Sequence, residues 1–237
     1  MQGKLYGIGV GPGDPELLTL KAVRILKKID YLCYPISQPG KPSIALEIAA
    51  GAVKKNWCVA ELYLPMTRDD SVLEGHWQEA ALKISDILRS GQDCAFITLG
   101  DPSLYSTFVY LVRKLKVILA ELEVEIVPGI SSPNILAAQA QVSLAEGEES
   151  FLIIPGISDL DKIGQALDSF DNIIFLKVGR TFSEIYPILQ EKGLEEKAVF
   201  GERCGFSDEY LSFNLQDVAQ RQRDYLSLLF VKKGGFK

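Results

Sequence analysis

The chain predicts an α/β protein of two lobes, with a mostly parallel N-terminal sheet, a mixed C-terminal sheet and a ligand cleft between them. Three observations predict it. Short apolar runs alternate with longer stretches whose apolar residues recur at helical spacing, the pattern of parallel strands joined by crossover helices. Three small-residue turns each follow an apolar run and lead into a helix-like stretch: Gly9-Val10-Gly11-Pro12-Gly13-Asp14-Pro15, Leu99-Gly100-Asp101-Pro102-Ser103-Leu104-Tyr105 and Val127-Pro128-Gly129-Ile130-Ser131-Ser132. After Gly193 the strand-like runs crowd too closely for crossover helices, which favours antiparallel pairing.

The elements follow in order. Lys4 to Val10 reads as the first strand and Pro15 to Ile29 as the first helix. Asp14 suits the N-cap and Pro15 the first helical position, where a missing N–H costs nothing. Tyr31 to Tyr34 is a short second strand, and Ser43 caps a second helix through Ala52. Trp57 to Leu64 is the third strand, and Asp70 to Ser90 a third helix ended by Gly91. Cys94 to Leu99 is a buried fourth strand, Ser106 to Ala120 a fourth helix and Glu123 to Val127 a fifth strand. Ser131 or Ser132 caps a helix begun by Pro133.

The composition shifts over residues 141–150, with Glu146-Gly147-Glu148-Glu149, so the expected division is a lobe over 1–140, a hinge over 141–150 and a lobe over 151–237. The second half restarts with strand Phe151 to Ile154, helix Leu160 to Ser169, strand Ile173 to Val178 and helix Phe182 to Lys192. Strands Ala198 to Gly201, Glu209 to Asn214 and Tyr225 to Lys232 complete it.

Composition excludes several classes of function. At 237 residues, 47% hydrophobic and 24% charged, the chain has the balance of a soluble globular protein with a substantial core. Apolar runs such as Leu226 to Val231 are too short to span a bilayer, and a strand-like segment begins within four residues of the start. No membrane association and a cytoplasmic location are the expectation. Net charge is −6, and the densest basic spots, Arg113 with Lys114 and Lys116, and Lys232 with Lys233, read as solvated faces, so nucleic acid is not an expected partner. Cys33, Cys58, Cys94 and Cys204 show no metal or disulfide spacing, and the first three read as small buried hydrophobes. His76 is the only histidine, on a polar helical segment where a solvated side chain is expected. One histidine builds neither a hydrolytic triad nor a metal centre, so no metal is expected.

The first turn invites a dinucleotide reading because Gly9-x-Gly11 follows a strand. The third glycine of that fingerprint should stand at position 14, where Asp14 would compete with a pyrophosphate for the helix N-terminus. Tyr34 and Pro35 also occupy the end of the second strand, where a ribose-binding carboxylate belongs. Local physics allows two readings of each remaining turn. Gly100-Asp101-Pro102 is either a capped turn or a surface on which a ligand meets backbone without an intervening Cβ. Ser131 and Ser132 either cap a helix or offer a spare hydroxyl to a ligand, since one suffices for the cap.

Taken together, the three turns resemble those of the tetrapyrrole methyltransferases that use S-adenosylmethionine. In that family the Gly-Asp-Pro turn lies against the methionine part of the donor, and acceptor-only groups suit a sulfonium. The resemblance implies S-adenosylmethionine contacts at Pro12, Leu99, Gly100, Asp101, Leu104, Tyr105, Ser131 and Ser132. Two further strand ends, Leu176-Lys177-Val178-Gly179-Arg180 and Glu202-Arg203-Cys204-Gly205, resemble the segments bordering the donor's nucleoside, which adds Lys177, Val178, Glu202 and Arg203. Asp101 and Tyr105 are the catalytic candidates for any proton removal. The continuation Leu104-Tyr105-Ser106-Thr107 is similar to members that methylate carbon 20 of precorrin-2 or its cobalt-bearing counterpart in cobalamin biosynthesis. Another corrin position, diphthine synthesis, or a non-catalytic nucleotide-binding module are the alternatives. At Pro133-Asn134-Ile135-Leu136 the chain departs from the family's usual run of Phe and small residues. A substrate rich in carboxylates calls for cationic partners, with Arg68, Arg180 and Arg203 as candidates. The resemblance also implies a homodimer.

Overall fold

In the computed structural model, which describes residues 2–65, 67, 69–156 and 159–236, the first sheet comprises β1 (Leu5–Gly9), β2 (Tyr31–Ile36), β3 (Cys58–Tyr63), β4 (Cys94–Thr98) and β5 (Val124–Val127). All neighbours pair in parallel, in the order β3-β2-β4-β1-β5. Their crossovers are α1 (Leu20–Lys28), α2 (Ile44–Ala52), α3 (Asp70–Arg89) and α4 (Phe108–Ile118). The chain leaves β1 toward β2 on one side and leaves β4 toward β5 on the other, although β1 and β4 are neighbours. That reversal is a topological switch point, where the carboxyl ends of two adjacent strands open a crevice.

Helices α3 and α4 pack on one face of this sheet through Trp77, Ile84, Phe108 and Leu111 against Leu5, Leu62, Cys94 and Phe96. Phe96 and Phe108 stack with centroids 5.5 Å apart. Gly7 makes room for that stack, because a Cβ there would lie 2.2 Å from the Phe108 ring.

The second sheet comprises β6 (Phe151–Pro155), β7 (Asn172–Leu176), β8 (Ala198–Glu202), β9 (Tyr210–Ser212) and β10 (Ser227–Lys232), ordered β6-β7-β10-β8-β9. Only β6 and β7 run parallel; the other pairs are antiparallel. Helices α5 (Ser132–Ala140), α6 (Leu160–Ser169), α7 (Phe182–Glu191) and α8 (Leu215–Ala219) accompany it, and Phe175, Phe182, Phe200 and Leu229 centre its core. The chain divides into two compact units, Met1–Ser131 and Ser132–Lys237.

Several expectations change on contact with the structure. The first helix is broken. Asp14 caps only a 3-10 turn, Pro15–Leu17, its carboxylate accepting from the Glu16 N–H at 2.8 Å. Leu18 is extended, and the Thr19 hydroxyl restarts α1 by accepting from the Ala22 N–H at 3.2 Å. Strand β2 continues through Pro35 to Ile36. The carbonyls of Asp30 and Ile36 accept from the N–H groups of Cys58 in β3 and of Leu64 just past it, so Pro35, at the other parity, faces β4 two residues beyond Cys33, the last residue paired there. Its missing N–H costs no ladder bond. Helix α8 was not foreseen, although Asn214 caps it through the Gln216 N–H and Leu215 and Val218 are buried.

Three side chains also depart from expectation. Cys33 and Cys94 are buried with Sγ atoms 3.2 Å apart, but Cys58, at the start of edge strand β3, is exposed. Lys232 is buried rather than solvated, bonded to Glu149 at 2.9 Å and within 3.4 Å of Glu146. His76 is half-buried, its ring edge-on to Tyr63 with centroids 4.8 Å apart.

Candidate active site

The three glycine-bearing turns meet at the switch point. Gly11 and Gly100 exchange main-chain hydrogen bonds, Gly100 N–H to the Gly11 carbonyl at 2.7 Å and Gly11 N–H to the Gly100 carbonyl at 3.3 Å. Gly129 completes the contact. A Cβ on Gly129 would stand 2.2 Å from the Gly100 carbonyl oxygen and 2.8 Å from the Gly9 carbonyl carbon. A Cβ on Gly9 would stand 2.4 Å from that same oxygen. Backbone therefore touches backbone among Gly9, Gly100 and Gly129, and neither Gly9 nor Gly129 could carry a side chain there. At Gly100 the reason for glycine differs. Its φ is +71°, a conformation that favours glycine, and a Cβ there would meet nothing nearer than 4.0 Å.

Asp101 stitches two of the turns. One carboxylate oxygen accepts from the Ser103 N–H at 2.7 Å and from the Ser103 hydroxyl; the other accepts from the Gly129 N–H at 2.9 Å. Tyr105 follows in the left-handed region at φ +49°, with its side chain half exposed. Such a conformation costs a non-glycine residue about 1–3 kcal/mol, and strain of this kind concentrates at functional sites. Pro12 is buried beneath its turn, and Leu99, Leu104 and Ser131 are half-buried. The first unit thus brings together Pro12, Leu99, Gly100, Asp101, Leu104, Tyr105 and Ser131 on loops that leave adjacent strands. Ser132 opens α5 in the second unit, which places Ser131 at the N-cap position.

The second unit repeats the theme at its own strand ends. Strand β10 starts at Ser227 between the carboxyl ends of β7 and β8. On either side stand Lys177 at φ +58° and Arg203 at φ +49°, whose N–H groups donate to the Ser227 and Leu226 carbonyls at 2.7 and 2.8 Å. Tyr105, Lys177 and Arg203 are three of the four non-glycine residues found with positive φ among the described residues. Lys177 extends its ammonium over the Tyr225 ring, and Arg203 pairs with Asp208 at 2.8 Å. Val178 is buried. Glu202 is buried too, one oxygen accepting from Arg221 at 3.0 Å and the other from the Asp224 N–H at 2.7 Å. Its carboxylate is thereby committed to the 221–224 loop, and what Glu202 offers outward is main chain. Sequence reasoning missed this loop, as it missed Ser103 and Gly129 as partners of Asp101. The Glu202 pairings and the Asp101–Gly129 pairing span 19 to 28 residues, and only the fold reveals them; the Asp101–Ser103 bonds are local to the turn.

Arg180 is exposed, and Arg68 lies outside the described residues. Among the described residues no group of three or more His, Cys, Asp or Glu could hold a metal ion, and no helix is long and apolar enough to cross a membrane.

The sequence pattern of the tetrapyrrole (corrin/porphyrin) methylases matches residues 4–219. The chain belongs to that family. A probable cobalt-precorrin-2 C(20)-methyltransferase of Methanocaldococcus jannaschii is 39% identical over 97% of this methylase and 96% of its own length. The cobalt-precorrin-2 C(20)-methyltransferase of Salmonella typhimurium is 33% identical over 98% of each chain. Among solved structures, the uroporphyrin-III C-methyltransferase of Thermus thermophilus complexed with S-adenosylhomocysteine superposes with a TM-score of 0.68 at 20% identity, covering 98% of both chains. The fold of this methylase is therefore the family's two-sheet fold.

Proposed function

We propose that this methylase transfers a methyl group from S-adenosylmethionine to carbon 20 of cobalt-precorrin-2 in cobalamin biosynthesis. The observation that carries the reading is full-length similarity to two relatives that both bear that activity in their names, at 39% and 33% identity. The loop after β4 supports it with its Leu104-Tyr105-Ser106-Thr107 continuation.

The residues present suit an elongated cationic donor. Bare backbone at Gly100, and hydroxyls at Ser131 and Ser132, give acceptor groups and close approach without side-chain obstruction. We assign the donor's amino-acid part to the Gly100–Tyr105 and Ser131–Ser132 turns, and its nucleoside to the main chain at Lys177, Val178, Glu202 and Arg203. We assign Pro12 and Leu99 to the donor surface as well. When bound, the donor supplies an electrophilic methyl whose bond to sulfur breaks as the bond to carbon 20 forms, leaving S-adenosylhomocysteine. Carbon 20 would then give up its proton to a base or to water, with Tyr105 the candidate base beside the turn after β4. What the protein contributes is alignment, which can supply about 7–11 kcal/mol of the barrier reduction when the reacting atoms are held about 3–3.5 Å apart.

On the same reading, the first unit, Met1–Ser131, carries the tetrapyrrole and the second, Ser132–Lys237, carries the nucleoside. The family resemblance further supports a homodimer, which sedimentation at micromolar concentration tests, and the composition supports a cytoplasmic location. The deciding experiment is incubation with methyl-labelled S-adenosylmethionine and precorrin-2, with and without cobalt, followed by NMR location of the new methyl. Label at carbon 20, with faster transfer to the cobalt form, is expected. Label at a different carbon assigns the chain to a sister activity, and no transfer from cofactor-binding protein removes the corrin assignment.

A further inference from the structure

We propose that Asp101 is a positioning residue: a clasp that locks the turn after β4 onto the turn after β5, and that neither contacts the methyl donor nor moves a proton. The inference rests on the methyltransferase reading above and revises the role that a carboxylate beside a sulfonium would suggest.

Three observations carry it. A carboxylate offers about four acceptor positions, and at Asp101 three are taken by the Ser103 N–H, the Ser103 hydroxyl and the Gly129 N–H. The two oxygens serve different turns, so the side chain spans 28 residues of sequence and cannot swing toward a ligand without releasing one of them. The turns it joins are those where Gly9, Gly100 and Gly129 touch backbone to backbone. That contact is made of close carbonyl and peptide groups with little apolar area to hold it. A charged acceptor bonded to the Gly129 N–H supplies the missing attraction, because hydrogen bonds to ionised groups are stronger than neutral ones. Accepting a proton from substrate would weaken the very bonds that fix the donor's cradle.

The alternatives separate by ligand charge. Contact with the sulfonium would weaken binding of S-adenosylmethionine selectively when Asp101→Asn removes the negative charge, because S-adenosylhomocysteine carries a neutral sulfur. Contact with the ammonium would weaken both but spare 5′-methylthioadenosine, which lacks the amino-acid part. A clasp weakens all three by a common factor. Calorimetry with the three ligands on wild type, Asp101→Asn and Ser103→Ala is the test, with amide exchange at Gly129 as the direct readout of the clasp. The expected result is an affinity loss of about tenfold in Asp101→Asn, equal across the ligands, a smaller equal loss in Ser103→Ala, and faster exchange at Gly129 in both. A selective loss for one ligand overturns the proposal, as does unchanged exchange at Gly129. A pH–rate profile that loses a limb in Asp101→Asn, with exchange at Gly129 preserved, would make Asp101 the base. If wild type binds none of the ligands, the methyltransferase reading fails, while Gly129 exchange still judges the clasp. Should Asp101→Asn not fold, Ser103→Ala alone decides through the same two readouts.

Discussion

Gly129 approaches the carbonyl of Gly100 so closely that a Cβ on it would sit 2.2 Å from that oxygen. The obstacle is main chain in the turn after β4, paired to Gly11, not the far end of a flexible side chain. Gly129→Ala is expected to cost about 2–3 kcal/mol of stability and to abolish binding of S-adenosylhomocysteine. Chemical denaturation and calorimetry check the two effects. Full affinity in this variant would mean that the contact does not shape the cofactor surface.

Two other glycines give the opposite sign. Gly75 in α3 and Gly164 in α6 lie in helical backbone, and a Cβ on either meets nothing within 4 Å. Alanine there restricts the unfolded chain without a clash. Each substitution is expected to raise stability by about 0.5–1 kcal/mol with methyl transfer unchanged, as read from the urea midpoint.

Glu202 holds the 221–224 loop against the ends of β7 and β8. Glu202→Gln keeps the shape but leaves Arg221 without its partner charge. A loss of about 2–3 kcal/mol is expected, smaller than for a fully buried pair because the Arg221 side chain is 35% exposed. Measured by denaturation, a change below the error of the midpoint would show that the loop is held by its remaining contacts, Arg223 to the Gly179 carbonyl and Ser227 to the Asp224 carbonyl.

Acid should unlock the edge of the first sheet. Glu125 on β5 pairs with Lys21 and Lys4 at 2.7 Å each, and these bonds hold its carboxyl down at about 2 from an ordinary 4.5. A depressed folded-state pKa gives stability that is present above the unfolded value and lost as pH falls through the folded one. Wild type should therefore lose stability between pH 4.5 and about 2, and Glu125→Gln should flatten that part of the profile. Screening at high salt should shrink the difference, since the pair is solvent-exposed.

Thiol chemistry offers a separate check. Cys33 and Cys94 are buried, and burial pushes the Cys204 thiol up to about 12, whereas Cys58 is exposed. A thiol-reactive disulfide reagent should titrate one cysteine in the native protein and four after unfolding, with the fast one removed by Cys58→Ser. Two fast thiols would indicate opening of the first sheet.

The sequence by itself determined the order and type of nearly every strand and helix, because hydrophobic period and capping chemistry are local properties. It also placed the three turns after β1, β4 and β5, since glycine and proline mark where the backbone reverses. Where the reading slipped, the cause was competition from nearby groups or from distant ones. Thr19 could continue a helix or cap a new one, and it caps. Pro35 reads as a strand terminator until the short β4 pairing leaves its missing N–H without a partner to disappoint. Lys232 reads as solvated until Glu149 and Glu146 turn back to meet it. Tertiary structure alone decided that Gly9, Gly100 and Gly129 share one contact, that Asp101 reaches the Gly129 N–H 28 residues away, and that Tyr105, Lys177 and Arg203 carry left-handed backbone. Each of these depends on which strands become neighbours. Strand adjacency is set by the packing of whole helices on whole sheets, and no local window of residues contains it.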